Sequence, residues 1–256
     1  MLQIDIAAHS ELGGRSQNED DLRHGGNDSR WYAVLSDGAG GHDGGAIAAD
    51  LTVRVLALQL QSAADYSAQA LHEAVLEAHA AVRERQHRGN ARERMHATAV
   101  VLWLDASEPA ALWSHVGDSR LYHLRRGRVR HMTRDDSLVQ QLMDAGHLTP
   151  EAARSHPLRN QLLSAMGADH EVEPHTLEAP LSLQDGDAFL LASDGWWEAF
   201  DDAAIESSFA AAHSAQDWLE MMARRLHEVA HPGQDNFSAV AVWVGDPAQN
   251  TRIEID

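Results

Sequence analysis

Five short acidic motifs are spread along the chain, and their residue types suit the binding of divalent metal ions. Four of them adjoin predicted strands, and they are Asp37-Gly38, Gly117-Asp118, Asp194-Gly195 and Asp235-Asn236. The fifth, Asn18-Glu19-Asp20, follows the first predicted strand. Carboxylates at strand ends can converge at one edge of a sheet, where they repel one another unless cations neutralise them. Carboxylate and carbonyl oxygens are the ligands that Mg²⁺ and Mn²⁺ prefer.

The same dipeptides also have a purely structural interpretation. Asp-Gly is above all a turn sequence, because glycine lets the backbone bend sharply after the aspartate. Two metal ions held about 3.5–4 Å apart could instead carry a hydroxide for in-line attack on phosphorus. From spacing alone, a shared metal site and a set of turns fit the motifs equally well.

The predicted elements indicate how the motifs come together. Strands are predicted where an apolar run ends in a turn, at Gln3–His9, Trp31–Ser36, Ala97–Leu104, Ala111–Val116, Leu121–Arg125, Val129–Met132, Ala188–Ala192 and Phe237–Val244. Apolar residues at helical spacing predict helices at Gly45–Gln61, Ser67–Arg88, Asp135–Ala145, Asp201–Ala212 and Ala215–Ala230. Helices segregated from runs of antiparallel strands are typical of an α+β fold.

The domain organisation is predicted to be a single domain over residues 1-256, with a flap-like insertion at about 133-170. The chain has 256 residues, 44% of them hydrophobic, which is enough for a sizeable core. No internal repeat or low-complexity linker divides it. The segment Thr133–His170 interrupts the strands and is rich in polar residues, so we expect it to run over the surface. Arg125-Arg126-Gly127-Arg128 predicts a hairpin turn.

Composition excludes several functions. All 20 basic residues are arginine, which rules out phosphate-loop NTPases and Schiff-base enzymes because both need lysine. A formal charge of −19 argues against a nucleic-acid partner. The lack of cysteine removes disulfides and thiolate chemistry and is compatible with the cytoplasm.

No apolar run approaches the ~20 residues of a membrane span, and residues 1–5 lack a signal-peptide pattern. We therefore expect a cytoplasmic monomer without a membrane partner.

Taken together, the motifs resemble the signature of the metal-dependent protein Ser/Thr phosphatases, the type 2C family, in its bacterial form. The resemblance extends over nearly the whole chain and follows the family's order, at Arg15–Asp20, Ser36–Gly41, Val116–Arg120, Ser193–Trp197 and Asp235-Asn236. It implies two packed antiparallel β-sheets flanked by helices on both outer faces, an α-β-β-α sandwich. It also implies hydrolysis of phosphoserine and phosphothreonine in proteins by a metal-activated water, which reverses a cognate bacterial Ser/Thr kinase.

The resemblance further implies a set of core metal ligands. Asp37 would bridge two Mn²⁺ or Mg²⁺ ions, and the Gly38 carbonyl would bind one of them. Asp194 and Asp235 would bind the other ion. With Arg15, the three aspartates make up the implied catalytic set.

Four more roles follow from the same resemblance. Glu19 and Asp20 would contact the waters on the metals. Asp118, together with a core aspartate, would hold a weaker third ion. Arg15 would bind the substrate phosphate, a task that suits its planar fork of donors.

One position departs from the pattern of animal members of the family. They have a histidine after Asp-Gly, thought to protonate the leaving alcohol, whereas this chain has Ala39, as bacterial members also lack the histidine. A metal-bound water is our first choice for the proton donor, and His42 is its rival.

Two other interpretations of the function stay open at this point. The first alternative is a catalytically impaired phosphatase fold that acts as a regulatory binding module. A non-catalytic Ca²⁺-binding protein is disfavoured, because no Asp-x-Asp-x-Asp-Gly loop is present.

For the biological setting, Ser193–Glu198 and the compact length resemble the phosphatases that accompany type VI secretion kinases, with a general housekeeping phosphatase as the alternative.

Overall fold

The computed structural model describes residues 2–27, 29–40, 44–88 and 95–245. Its strands, in chain order, are β1 Ile4–Glu11, β2 Asp20–Gly26, β3 Arg30–Gly40, β4 Met95–Ala97, β5 Ala99–Asp105, β6 Ala110–Val116, β7 Arg120–Arg125, β8 Arg128–Met132, β9 His175–Thr176, β10 Leu181–Ser182, β11 Ala188–Ala192 and β12 Phe237–Val244. Its helices are α1 Gly44–Ser62, α2 Ala68–Arg88, α3 Leu138–Asp144, α4 Pro150–Arg154, α5 Asp194–Trp197, α6 Asp202–Ala211 and α7 Ala215–Glu228.

The strands form two antiparallel sheets. The first has the order β1-β12-β11-β7-β8, and the second has the order β10-β6-β5-β3-β2, with β4 paired to β3 and β9 paired to β6. Each sheet therefore combines strands from distant parts of the chain, and it brings the segments that carry the acidic motifs side by side.

Side-chain alternation along the strands builds three apolar layers. On β3, Val34 packs with α1 and α2, whereas its neighbour Leu35 faces the other sheet. On β12, Ala241 packs with α6 and α7, whereas Val242 faces the space between the sheets. Successive strand residues point to opposite faces, so each sheet buries both of its faces. The result is the predicted α-β-β-α sandwich, and the α+β fold class is confirmed.

The hairpin predicted between β7 and β8 is present. Arg126 and Gly127 both have positive φ, at 54° and 69°. Positive φ at both central residues matches the right-handed twist of the flanking strands.

The segment 133–170 carries α3 and α4, and its end returns to the core. Ser137 caps α3 by accepting from the Gln140 N–H, so the helix begins three residues later than the prediction from Asp135. Met166 is fully buried beside α2 and forms a β-bridge with Ala97. The segment is therefore fixed to the body of the protein at its far end.

Among the residues that the structure describes, no helix combines the length and apolar character needed to cross a membrane.

Candidate metal centre

Two aspartates from neighbouring strands form the middle of the site. Asp20 and Asp37 lie directly opposite each other in the antiparallel pairing of β2 with β3. The sequence predicted a strand that ends before Asp37, but β3 continues to Gly40. It does so because β3 changes partner, from β5 up to Leu35 to β4 from Gly38 onward.

Thr98 stabilises this change of partner from the break between β4 and β5. Its backbone N–H donates to the Asp37 carbonyl at 2.8 Å, and the Asp37 N–H donates to Thr98 Oγ1 at 2.9 Å. Thr98 Oγ1 also lies 2.6 Å from Ser119 Oγ, within the turn that carries Asp118. The backbone positions of two acidic motifs are thus fixed by one threonine.

Gly38 occupies a place where a side chain does not fit. Its N–H donates to the Glu19 carbonyl at 3.1 Å. A Cβ atom on Gly38 would collide with the carbonyl group of Gly45, at the start of α1. Glycine is therefore required for the close approach of three backbone segments, and the backbone of Glu19 is positioned beside that of Gly38.

Asp118 and Asp194 come from the first sheet, at the end of the β7–β11 pair where Arg120 lies opposite Ala192. Asp118 follows Gly117, which turns the chain between β6 and β7 with a φ of +94°. Asp194 is the first residue of α5, and only Ser193 separates it from β11. The Trp197 indole N–H donates to the Asp118 carbonyl at 2.9 Å and so connects α5 to that turn.

Asn236 joins the last acidic motif to the first one. Its side-chain Oδ1 accepts from the Glu19 N–H at 2.9 Å. Its Nδ2 donates to the carbonyls of Leu12 and Gln17, at 2.8 and 3.0 Å. These bonds hold the loop that contains Arg15, and the Arg15 guanidinium in turn donates to Asp235 Oδ2 at 2.6 Å.

The carboxylates raise one another's pKa. Burial, followed by the charges of Asp20 and Asp194 and then of Asp118 and Asp235, raises the pKa of Asp37 well above its usual range. Burial, opposed by hydrogen bonds from Ser238 and Ser193 and reinforced by the charge of Asp235, raises the pKa of Asp20 to about 6.

The pKa values of the other two buried aspartates move in the same direction. Burial and then the charges of Asp235, Glu198 and Asp20 raise the pKa of Asp194 to about 7. Burial and then the charge of Asp194 raise the pKa of Asp118 well above its usual range. Each aspartate therefore lies within electrostatic reach of others in the set.

The cluster fits divalent cations. Asp20 Oδ1 and Asp194 Oδ1 are buried and have no hydrogen-bond partner among the described residues. A buried acceptor without a partner costs about 1–3 kcal/mol, and like charges at close range add to that cost. Hard divalent ions that bind oxygen would satisfy the free oxygens and remove the repulsion.

The structure thus brings together Asp20, Asp37, Asp118, Asp194 and Asp235 from five parts of the chain. The Arg15 side chain contacts this group through Asp235. The backbones of Glu19 and Gly38 lie beside the group and are hydrogen-bonded to each other. His42 lies outside the described residues.

Several supporting residues were not predicted from the sequence. Thr98 belongs to no acidic motif, and Ser193, whose hydroxyl donates to Asp20 Oδ2 at 2.9 Å, was noted only as part of a motif. Asn236 was noted as a motif residue without a role. Because their partners lie 21 to 224 residues away in sequence, no local signal indicates these contacts.

A cavity of about 900 Å³ opens beside the centre. Asp118 and Asp194 line one side of it, and Met143, Pro150 and Arg159 from the segment 133–170 line another. The cavity is large enough for several side chains of a bound peptide, and it places that segment opposite the aspartates.

Comparison with known proteins agrees with this arrangement. The family model of protein phosphatase 2C matches residues 9–236. The match covers most of the chain, so this protein belongs to the protein phosphatase 2C family.

Two of the relatives are bacterial proteins named as phosphatases. The chain is 34% identical over 253 residues to the serine/threonine protein phosphatase PstP of Mycobacterium tuberculosis, a match that covers 96% of this chain and 46% of PstP. It is 29% identical to the protein phosphatase PhpP of Streptococcus pneumoniae, over 95% of this chain and 98% of PhpP. The chain therefore spans about half the length of PstP and nearly all of PhpP.

Solved structures share the fold. The catalytic domain of PstP in complex with two manganese ions superposes with a TM-score of 0.83 at 29% identity, covering 96% of this chain and all of that one. PppA, described as a key regulatory component of T6SS in Pseudomonas aeruginosa, superposes with a TM-score of 0.75 at 28% identity, covering 94% and 97% of the two chains.

Proposed function

We propose that this chain hydrolyses phosphoserine and phosphothreonine in proteins by metal-dependent attack of water. The observation that carries the proposal is a cluster of buried aspartates around Asp37, whose own pKa is raised by burial and by the charges of Asp20, Asp194, Asp118 and Asp235. Buried carboxylates that repel one another lower the stability of the fold unless cations bind them. Membership of the protein phosphatase 2C family supports the same reaction.

The residues present fit two Mn²⁺ or Mg²⁺ ions in the core of the site. We assign the carboxylate of Asp37 and the carbonyl of Gly38 to one ion, and Asp37, Asp194 and Asp235 to the other. The manganese ions in the PstP structure support this choice of metal. When bound, such ions would lower the pKa of a coordinated water and withdraw charge from the phosphoryl oxygens.

The chain's own residues orient the reactants around these ions. Asp20 accepts a hydrogen bond from Ser193, which fixes one carboxylate oxygen and leaves the other for a water. The Glu19 backbone is held by Asn236, which places its side chain at the same edge. Both carboxylates would accept hydrogen bonds from waters on the metals and so hold those waters in position.

Arg15 is proposed to bind the phosphate of the substrate. Its side chain is about half exposed at the mouth of the site and reaches Asp235 at 2.6 Å. A guanidinium can donate two parallel hydrogen bonds to a phosphate dianion. Asp118, whose carbonyl is held by Trp197, is proposed to bind a weaker third ion with Asp194.

The partners proposed are phosphorylated proteins in the cytoplasm and the Ser/Thr kinase that modifies them, with the phosphatase acting as a monomer. The segment 133–170 is proposed to act as a flap that selects among these substrates. Similarity to PppA supports a type VI secretion setting, and similarity to PstP and PhpP supports general signalling. The neighbouring genes would decide between the two settings, because a type VI secretion kinase beside this gene supports the first and a receptor-like kinase supports the second.

The experiment that tests the function measures phosphate release from a phosphothreonine peptide. Protein stripped with EDTA should be inactive, and Mn²⁺ should restore turnover. Asp65→Asn serves as the matched control, because Asp65 is exposed in the loop near Arg30, at the opposite end of β3 from Asp37. Binding of the peptide without any phosphate release under all metal conditions would establish the regulatory binding module instead.

A further inference from the structure

Two histidines and an aspartate lie together away from the acidic motifs. His115 is on β6, His175 is on β9, and Asp136 follows β8. Each offers one ligand atom, and these atoms lie within 4.8 Å of one another. They come from three separate parts of the chain, so the cluster is a product of the fold and not of local sequence.

The two imidazole rings are placed by strand register. His115 and His175 are direct partners in the antiparallel pairing of β6 with β9. Their rings stack with centroids 4.9 Å apart. His175 Nε2 lies 2.7 Å from Asp136 Oδ1, so the carboxylate is already beside one ring.

The buried histidine has one nitrogen fixed and one nitrogen without a partner. His115 Nε2 lies 2.8 Å from the Arg134 carbonyl, which can only accept, so this nitrogen carries the proton. The lone pair of a neutral ring is then on Nδ1. His115 is only 5% exposed, and its Nδ1 has no hydrogen-bond partner among the described residues. Burial lowers the pKa of His115, which keeps the ring neutral near pH 7.

The carboxylate is also oriented from outside the cluster. Asp136 Oδ2 accepts from the Gly117 N–H at 3.0 Å, which leaves Oδ1 directed to His175. Hydrogen bonds of this kind, from a ring N–H to a carbonyl and from a backbone N–H to a carboxylate, are the outer contacts that hold metal ligands in place. A simple ion pair between His175 and Asp136 would explain their contact but not the unpartnered nitrogen of His115.

We propose that His115, Asp136 and His175 form a second metal site, which takes a divalent transition ion of the zinc class. Two imidazoles and one carboxylate are a donor set that Zn²⁺ accepts and that Mg²⁺ does not favour. Zn–N distances of about 2.0–2.1 Å place tetrahedral ligand atoms about 3.3 Å apart. The ligand atoms now lie between 2.7 Å apart, for His175 Nε2 and Asp136 Oδ1, and at most 4.8 Å apart. Metal binding therefore has to separate that closest pair slightly and bring any wider pair closer, and the exposed side chain of His175, on a two-residue strand, has room for the shift.

The site is separate from the proposed catalytic centre but touches the turn that leads to it. Asp136 and Gly117 exchange two hydrogen bonds, the second from the Asp136 N–H to the Gly117 carbonyl at 2.9 Å. Gly117 immediately precedes Asp118. A zinc-class ion on Asp136 would thus hold this turn to the edge of the second sheet.

Calorimetric titration with Zn²⁺ tests the proposal. EDTA-stripped protein in excess Mg²⁺, which occupies the oxygen ligands of the acidic centre, should bind one equivalent of Zn²⁺ per chain near neutral pH. His175→Ala should weaken that binding at least tenfold, and the matched variant His147→Ala, at an exposed position of the segment 133–170, should not. Circular dichroism of each variant confirms that it is folded.

A further variant separates this site from the catalytic one. Asp37→Asn should keep the same Zn²⁺ equivalent, even though it removes a proposed core ligand, because Asp37 is not part of the cluster. Equal Zn²⁺ affinity in wild type and His175→Ala, or no binding in excess Mg²⁺, would overturn the proposal. Loss of the equivalent in Asp37→Asn with retention in His175→Ala would assign the ion to the acidic centre and overturn it as well.

Discussion

Arg15 donates a 2.6 Å hydrogen bond to Asp235, so the proposed phosphate ligand lies against a proposed metal ligand. The pair is partly exposed, with 53% of the Arg15 side chain and 33% of the Asp235 side chain accessible. Exposed ion pairs contribute about 0–1 kcal/mol. The arginine can therefore leave the aspartate at little cost when metal and phosphate bind.

Arg15→Ala should raise the KM for a phosphopeptide by about 10–100-fold, the equivalent of losing a charged hydrogen bond worth about 1.5–3 kcal/mol. The loss in kcat should be smaller, because similar contacts are made in the ground state and the transition state. The affinity for Mn²⁺ should stay equal or increase, because a competing cation has been removed from Asp235. Arg15→Lys should recover only part of the KM, since lysine lacks the two-pronged donor. An unchanged KM would place the phosphate elsewhere.

Asp118→Asn should lower turnover on phosphopeptides while two core ions stay bound. The reason is that Asp118 lies in the turn that leads into β7 of the first sheet, whereas Asp20 and Asp37 pair within the second sheet, and its carboxylate is proposed to bind only the third ion. Calorimetry with Mn²⁺ on the variant and on wild type measures the number of ions directly. Loss of the strong sites together with the weak one would show that the assignment of Asp118 is wrong.

The metal-free protein should become less stable as pH rises from about 4 to about 7, through a contribution that Asp194 supplies. Its pKa is raised to about 7 in the folded protein. The folded state therefore binds more protons than the unfolded state between the ordinary aspartate pKa and about 7, and the stability gained at low pH is lost as pH rises through that range.

The measurement is the difference in melting temperature between wild type and Asp194→Asn in EDTA at several pH values. Burial lowers the pKa values of His79 and His115, so these histidines make the stability change with pH in the opposite direction to Asp194. Their contributions are the same in both proteins and cancel in the difference. Relative to wild type, the variant should gain stability with rising pH, by about 2–4 °C for each kcal/mol. A difference that does not change with pH would contradict the raised pKa of Asp194.

The segment 133–170 should select substrates without taking part in the chemistry. Residues 136–138 and 161–163 form the stem of this segment. Two hydrogen bonds join them, from the Leu138 N–H to the Gln161 carbonyl and from the Leu163 N–H to the Asp136 carbonyl. Exchange of residues 139–160 for those of a relative leaves this stem intact. Preference among phosphopeptides should change, while hydrolysis of p-nitrophenyl phosphate persists. Loss of both activities in a folded chimera would refute this division of roles.

Much of the fold was predictable because most strands and helices carry a strong apolar pattern. The bounds of β11 and β12 match the prediction, and both strands are buried along their whole length. The strand β2 was missed, because Asp20–Gly26 contains only one large apolar residue and is held by its pairing with β3. The helix α5, with four residues, is too short to show a helical period.

The candidate site was predictable in its residue types but not in its supports. Aspartates beside glycines indicated metal ligands, because that chemistry needs carboxylates and a tightly turning backbone. The position of Asp37 inside a strand depends on the change of partner between β5 and β4, which only the assembled sheet determines. The His115 and His175 pair was also invisible in sequence, because 60 residues separate two rings that stack across a ladder.

The central claim is that metal ions held at Asp37 drive hydrolysis of protein phosphoesters, and turnover of Asp37→Asn tests it most directly. The substitution keeps the shape of the side chain but removes a carboxylate that interacts electrostatically with four other aspartates. We predict that wild type with Mn²⁺ releases phosphate from a phosphothreonine peptide, and that Asp37→Asn, folded and otherwise identical, loses nearly all of that activity at any Mn²⁺ concentration. Full turnover by Asp37→Asn, or by wild type in excess EDTA, would contradict the account.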